Sequence, residues 1–375
     1  MKKFVSSVAL AAALATGSMA ATAPSISTNN MGDFLIAPAF FANSGYETNL
    51  RVINTDLTHS VIMRVVVRDA VCSQEVDFPI LLSPGDVWDA TIYQGSDGTY
   101  IKSDDDSNYL PQLTTGNGLN LTKANTKAAG KFSAGYVEFY PIAQYNEGME
   151  IKVPKAVLAS RFVALEQGNT AGAEAVDNIV TGVVTLKNDA KILSMSLPMT
   201  AVADAAEQVN YGDEIKLTTD TKWENYFDDA AAVQNLFESS DVVVPFIDGE
   251  NMALFTFVND GTCKCPSTGN KQLRTFRAKI RDTAENKPIA PSPEPKFVIP
   301  NELGYITPVN ILDAYQLTED QKAAFSKGWI KMVDMKNVHC GQDGAGKTPA
   351  HIPTQLQAVQ AGNGISTNWM YLPAE

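Results

Sequence analysis

The stretch ETNLRVINTDLTHSVIMRVVVRD, residues 47–69, decides the fold. Two runs dense in β-branched residues, Asn49 to Asn54 and Val61 to Asp69, flank a short polar turn, and that composition favours extended backbone. Arg64, Val66 and Arg68 share one face of the second run while Val65, Val67 and Asp69 share the other, the period-two pattern of a strand. Similar runs follow outward: Val76 to Leu82, Val87 to Tyr93, Ser133 to Tyr140, Ala156 to Leu165, Ile179 to Lys187 and Ile192 to Met199. Further on lie Asp241 to Phe246, Met252 to Asn259, Leu273 to Asp282, Trp329 to Met335 and Pro353 to Val359. The expected fold is mostly β, an antiparallel β-sandwich of immunoglobulin-like or jelly-roll-like kind. Two short helices are expected, one from Asp228 to Glu238 and one opened by the capping box of Thr318 and Gln321 and ended at Gly328.

A weak internal repeat divides the chain. Pro38-Ala39-Phe40, a Gly turn and Leu50 to Asn54 recur as Pro245-Phe246-Ile247, a Gly turn and Phe255 to Asn259. The frame Arg64-x-x-x-Arg68-Asp69 recurs as Arg277-x-x-x-Arg281-Asp282. Duplication of a β unit and chance likeness of amphipathic strands both account for this. The expected organisation is a leader over residues 1–20, a β unit over 21–205, a connection with a short helix over 206–240, and a second β unit over 241–375. The polar, acidic stretch Ala201 to Thr221 suits a connection, and four prolines between Glu285 and Lys296 make a stiff arm.

Lys2 and Lys3, an apolar run from Phe4 to Thr16 and small residues at Ser18 and Ala20 form a secretory leader with cleavage expected after Ala20. Its loss deepens the formal net charge from −13 to −15, because two lysines leave with it. That sign repels nucleic acid and anionic lipid, and no later run approaches transmembrane length. The expected location is extracellular or on the cell surface, with the periplasm as the alternative. In that setting Cys72, Cys263, Cys265 and Cys340 are disulfide candidates. Cys263 and Cys265 stand too close to bridge each other at normal geometry, so Cys72 and Cys340 would each take one of them. With His339, the thiolates Cys263, Cys265 and Cys340 also make a zinc-compatible set, without the usual two-residue knuckles.

Five of the seven arginines, Arg64, Arg68, Arg274, Arg277 and Arg281, lie in the two strand segments that carry the repeated frame. On a solvated strand face, Arg64, Arg68, Arg277 and Arg281 would pair across strands and guard against edge association. The alternative is an anion or glycan contact through bidentate guanidinium groups. Asp104, Asp106 and Asn108 alternate like the opening of a calcium loop, with Asp86, Asp89 and Asp97 as further donors. Tyr109 and Thr115 stand where an EF-hand needs Gly and Glu, so only a different kind of calcium site fits. No GxSxG or HExxH string occurs, and the run Gly341 to Lys347 lacks the strand-to-helix setting of a phosphate loop. Scattered carboxylates with His339 and His351 are all that a hydrolase has to build on. Trp88, Trp329 and Trp369 sit in apolar strand contexts, whereas Trp223 sits in the polar connection and is the candidate for an exposed contact.

Leu50 to Asp56, Met63 to Arg68, Ser73 to Phe78 and above all the Leu-Ser-Pro-x-Asp-Val-Trp string from Leu82 to Trp88 resemble a family of exported bacterial proteins described as cell-surface or hypothetical. The segment Asp229 to Phe237, Gly328-Trp329-Ile330, Ala358 to Gln360 and Asn368-Trp369 are similar to later parts of that family. The resemblance implies export and a β-rich surface fold and brings no catalytic residues. The expected role is therefore a non-enzymatic surface component, structural or interacting, such as a surface-layer or sheath subunit. Its expected partners are other copies of itself or cell-envelope components, with no cofactor. The alternative is a secreted glycan- or calcium-binding adhesion module.

Overall fold

The structure, a computed structural model, describes residues 23–149, 152–191, 193–205, 221–227, 229–239, 241–247, 251–257, 273–288, 294–315, 317–338, 346–361 and 364–371. Its first half contains β1 (Ser25–Ile26), β2 (Phe34–Phe41), β3 (Glu47–Asn54), β4 (His59–Asp69), β5 (Glu75–Leu82), β6 (Val87–Gly95), β7 (Gly98–Lys102) and β8 (Leu119–Asn120). After α1 (Leu121–Ala124) come β9 (Ala134–Asn146), α2 (Lys155–Glu166), β10 (Val180–Asn188), β11 (Leu193–Pro198) and β12 (Thr200–Ala203). Two helices, α3 (Trp223–Tyr226) and α4 (Ala230–Asn235), lead to β13 (Val242–Ile247), β14 (Asn251–Phe257), β15 (Leu273–Asp282), β16 (Lys296–Pro300) and β17 (Leu303–Ile306). Then follow α5 (Pro308–Ala314), α6 (Glu319–Ala324), β18 (Lys327–Asn337), β19 (His351–Ala361) and β20 (Gly364–Tyr371).

The strands make four antiparallel sheets, ordered β1-β12-β2-β9-β4-β5, β11-β10-β3-β6-β7-β8, β13-β18-β15-β16 and β17-β14-β19-β20. Val61, Met63, Val65 and Val67 of β4 pack with Leu50, Val52, Trp88 and Ile92 of β3 and β6 in one buried cluster, so the first two sheets form a sandwich. The other face of the first sheet is buried too. Ile62, Val66, Tyr136 and Tyr140 there pack under Leu158 and Phe162 of α2 and under Trp223, Tyr226, Phe227 and Phe237 of the connection. A strand covered on both faces reads as an unbroken apolar run, which is why β4 shows so little alternation. The third and fourth sheets enclose a separate cluster built from Val244, Phe255, Phe276, Ile280 and Ile330.

The likeness of the two halves extends well beyond the repeated hairpin. The order β2-β9-β4-β5 in the first sheet is the order β13-β18-β15-β16 in the third, and β11-β10-β3-β6 matches β20-β19-β14-β17. Register agrees as well: Arg68 lies opposite Tyr136 and Asp69 opposite Gly135, as Arg281 lies opposite Trp329 and Asp282 opposite Gly328. Each glycine is required by a close approach. A Cβ would meet the Arg68 carbonyl oxygen at 1.8 Å from Gly135 and the Arg281 carbonyl oxygen at 2.0 Å from Gly328. The two aspartates do the same work, accepting the amide of Val71 (3.0 Å) and of Ala284 (2.9 Å) to close the following turn. Chance likeness of two amphipathic strands does not produce a shared order of eight strands, so these features support duplication of a whole sandwich.

Three local expectations are corrected. Residues 156–165 form a helix rather than a strand, because Leu158, Phe162 and Leu165 recur at helical spacing and are the residues buried. Helix α4 is shorter than the expected 228–238 and is preceded by α3. The Thr318 capping box is present, but α5, opened by Thr307 as N-cap and Pro308 at the first turn, was missed. The halves also touch: the Ala70 carbonyl accepts from the amides of Glu302 and Leu303 (2.9 Å each), and Leu254 and Leu303 join the first core.

Candidate functional site

The densest polar chemistry lies on the outer face of the first sheet, beneath the connection. Arg64 and Arg68 point to that face from β4, and their exposures are 0% and 1%. The expectation of a solvated arginine row, and of a glycan contact through these two residues, is thus overturned in the first half. The connection that looked polar in sequence carries an aromatic strap across them, and Trp223, expected to be exposed, is 1% exposed.

Arg68 donates from Nε to Glu138 (2.5 Å), from Nη1 to Glu75 (2.8 Å) and from Nη2 to the Thr221 carbonyl (2.8 Å). Glu138, fully buried on β9, also accepts from the Tyr140 hydroxyl (3.0 Å) and the Trp223 indole N–H (3.2 Å). The Thr221 amide donates to Glu75 (2.8 Å), and Arg64, paired with Asp77, donates to the Tyr226 hydroxyl (2.6 Å). Burial works against the Arg68 charge, but Glu138 and Glu75 prevail and hold its pKa well above the ordinary value. Burial, then Glu138, pushes the hydroxyls of Tyr136 and Tyr140 well up. Arg68 and the two tyrosine hydroxyls therefore stay protonated across ordinary pH, and the hydrogen bonds to Thr221, Trp223 and Tyr226 position the strap.

A second cluster joins α2 to the acidic loop. The Lys155 ammonium donates to the Leu81 carbonyl (2.8 Å), the Ser107 hydroxyl (2.9 Å) and Asp86, which takes up its three protons. Burial raises the Asp86 pKa, but Lys155 and the Ser83 amide together lower it below the ordinary value. A Ser–Lys nucleophile needs a neutral amine and an open hydroxyl. Here the amine is ion-paired and Ser107 is buried, so the cluster holds the loop in place.

The calcium set does not assemble. Asn108 turns inward, its Oδ1 accepting from the Trp88 indole (2.8 Å) and its Nδ2 donating to the carbonyls of Ser103 and Asp105. Asp104 and Asp106 stay exposed. Each further donor has its own cation: Asp86 pairs with Lys155, Asp89 with Arg51 and Asp97 with Lys123. Among the described residues no group of three or more His, Cys, Asp or Glu is placed to hold a metal ion.

In the second half, Arg277 is exposed and Arg281 half-buried, its guanidinium 5.8 Å from the Trp329 ring centre. A groove of about 630 Å³ crosses the outer face of the second sheet, floored by the Arg51–Asp89 pair and bounded by Tyr93 and Asp105. Among the described residues there is no free cysteine. Cys72 lies in the loop between β4 and β5, while Cys263, Cys265, Cys340 and His339 lie outside the described residues.

The string from Leu82 to Trp88 builds a turn. Ser83 accepts the Asp86 amide (3.1 Å), Asp86 accepts the Ser83 amide (2.9 Å), Gly85 takes a left-handed φ of +68°, and Trp88 anchors the core. Sequence reasoning missed Glu138 and Lys155. The signal for Glu138 was a carboxylate inside the apolar run 134–145, which has to be paired once buried. No family model, no curated protein and no solved structure matches the chain. No helix among the described residues is long and apolar enough to cross a membrane.

Proposed function

We propose that the protein is an exported, non-enzymatic structural or interaction component of the cell surface, a surface-layer or sheath subunit. The observation that carries this reading is how the buried charges are engaged. Arg68 and Glu138 bind each other and the strap, Arg64 pairs with Asp77 and the strap's Tyr226, and Lys155 pairs with Asp86 beneath the acidic loop, so these charges hold architecture together. Leader-directed export, the acidic balance and the resemblance of the Leu82 to Trp88 string to exported bacterial proteins point the same way. In this reading Cys72 is bridged to Cys263 or Cys265, and because Cys72 is the one cysteine of the first half, that bridge ties the two halves together.

Fractionation of the native cells with size analysis tests it. The reading expects the mature chain, beginning at Ala21, in the envelope fraction as regular oligomers; a monomer confined to the cytoplasm overturns it. A second reading, a glycan-binding module, is favoured by the exposed Arg277 face with Arg281 over Trp329 and by the Arg51–Asp89 groove. It expects hits on a glycan array that vanish in Arg277→Ala or Arg51→Ala, and a blank array removes it.

A further inference from the structure

The outer face of the third sheet carries a grid of cations. On β15, Arg277, Lys279 and Arg281 alternate with Phe276, Ala278 and Ile280 of the core, so the three cations share the outer face. Lys296 of β16 lies opposite Arg277, and on β18 Lys331 lies opposite Lys279, with Lys327 two residues before Trp329 on the same side. Like charges set directly opposite each other on a sheet repel, so this face is short of anions. Arg277, Lys279, Lys296 and Lys327 are exposed, and among the described residues the one ion pair on the grid joins Lys331 to Asp241 (3.3 Å).

The equivalent face of the first sheet shows what the grid excludes. Shared register sets Arg277 and Arg281 at the places of Arg64 and Arg68, and Trp329 at that of Tyr136. By the same register Lys331 stands where the first sheet has Glu138, and Lys279 where it has Val66. Glu138 neutralises Arg68 and accepts from the Trp223 indole, which lets the aromatic strap close over the first sheet. With lysines in both places, an apolar cover on the third sheet would bury unpaired charge, so the occupant that fits is anionic.

The chain itself offers such an anion. Without the leader its formal charge is −14 over residues 21–240 and −1 over residues 241–375. Asp104 and Asp106 are exposed on a loop that is tied down on its inner side, by Asn108 to Trp88 and by Lys155 to Ser107. A loop already ordered in this way loses little entropy on docking. We propose that the basic face of the third sheet binds the Asp104 to Asp106 loop of a second copy of the chain. The contact is heterologous: each copy presents both surfaces, so it propagates from copy to copy. It deepens the surface-layer reading above and rests on it.

Sedimentation of the purified mature protein over a concentration series tests the contact at about 50 mM and about 500 mM salt. The expected result is association at the lower salt that weakens by about tenfold or more at the higher. Arg277→Glu with Lys279→Glu, and separately Asp104→Lys with Asp106→Lys, each weaken it by about a hundredfold or more, and the milder Arg277→Gln with Lys279→Gln by about tenfold. Mixing the two charge-reversed variants restores association, because one keeps the loop and the other keeps the face, and urea midpoints equal to the parent's show that both are folded. A parent that stays monomeric at the lower salt overturns the contact, as does association unchanged in the variants or not restored on mixing. Assembly that persists unchanged in the variants leaves the surface-layer reading standing while this contact falls; the reading itself falls on the cell fractionation above. A monomeric parent held on heparin resin through Arg277 and Lys279 overturns the proposal in favour of an anionic glycan.

Discussion

Replacing Arg68 and its counterpart Arg281 by alanine sets two sequence-equivalent positions against each other. Arg68→Ala removes the cation from a site where Glu138 is fully buried and leaves that carboxylate with only the Tyr140 hydroxyl and the Trp223 indole as donors. Breaking a buried pair in this way costs about 3–5 kcal/mol, because one charge stays behind uncompensated. For a unit of this size that is a fall in Tm of roughly 6–20 °C. Arg281 is half-buried, donates to a backbone carbonyl (3.2 Å) and lies over Trp329, so Arg281→Ala costs about 1 kcal/mol. Urea unfolding followed by tryptophan fluorescence measures both, since Trp223 touches the first site and Trp329 the second. The double change Arg68→Met with Glu138→Gln is expected to cost less than Arg68→Ala alone, the mark of a coupled buried pair. Equal costs for Arg68→Ala and Arg281→Ala, or simple additivity in the double variant, would refute the assignment of the network.

Gly135→Ala and Gly328→Ala each force a Cβ against a neighbouring carbonyl and are expected to cost about 1–3 kcal/mol in their respective sandwiches, read by urea midpoints. His351 takes up a proton only below about pH 4 in the folded protein and near 6.5 when unfolded, so the unfolded chain binds more protons in between. Stability therefore falls as pH drops from 6.5 to 4, by about 3 kcal/mol in all, and His351→Phe flattens that slope in a series of urea titrations. The double variant Asp104→Asn with Asp106→Asn is expected to leave Tm in calcium and in chelator within about 1 °C of the parent, because neither carboxylate belongs to an assembled donor set.

The fold class was legible because β-branched density and turn residues mark most strands locally. The equivalence of the halves was legible only in fragments. Arg64, Arg68 and Asp69 announced it, yet the matching glycines Gly135 and Gly328 draw their meaning from a partner strand more than sixty residues away in the first half. Residues 156–165 misled because Leu158, Phe162 and Leu165 lie among other apolar side chains, so that periods of 2 and 3.6 both fit. The candidate site failed for a different reason. Whether an arginine on a strand faces water depends on what crosses above it, and Trp223, Tyr226 and Phe227 come to Arg64 and Arg68 from some 150 residues downstream. Nothing local distinguishes Arg68, which is buried, from Arg281, which is not.

Surface proteolysis of intact native cells, combined with chemical cross-linking and peptide mass analysis, tests the central claim most directly. The account predicts that peptides from the mature chain are released without lysis and that cross-links join one copy to another. Peptides recovered only after lysis, with every cross-link confined within a single chain, would contradict it.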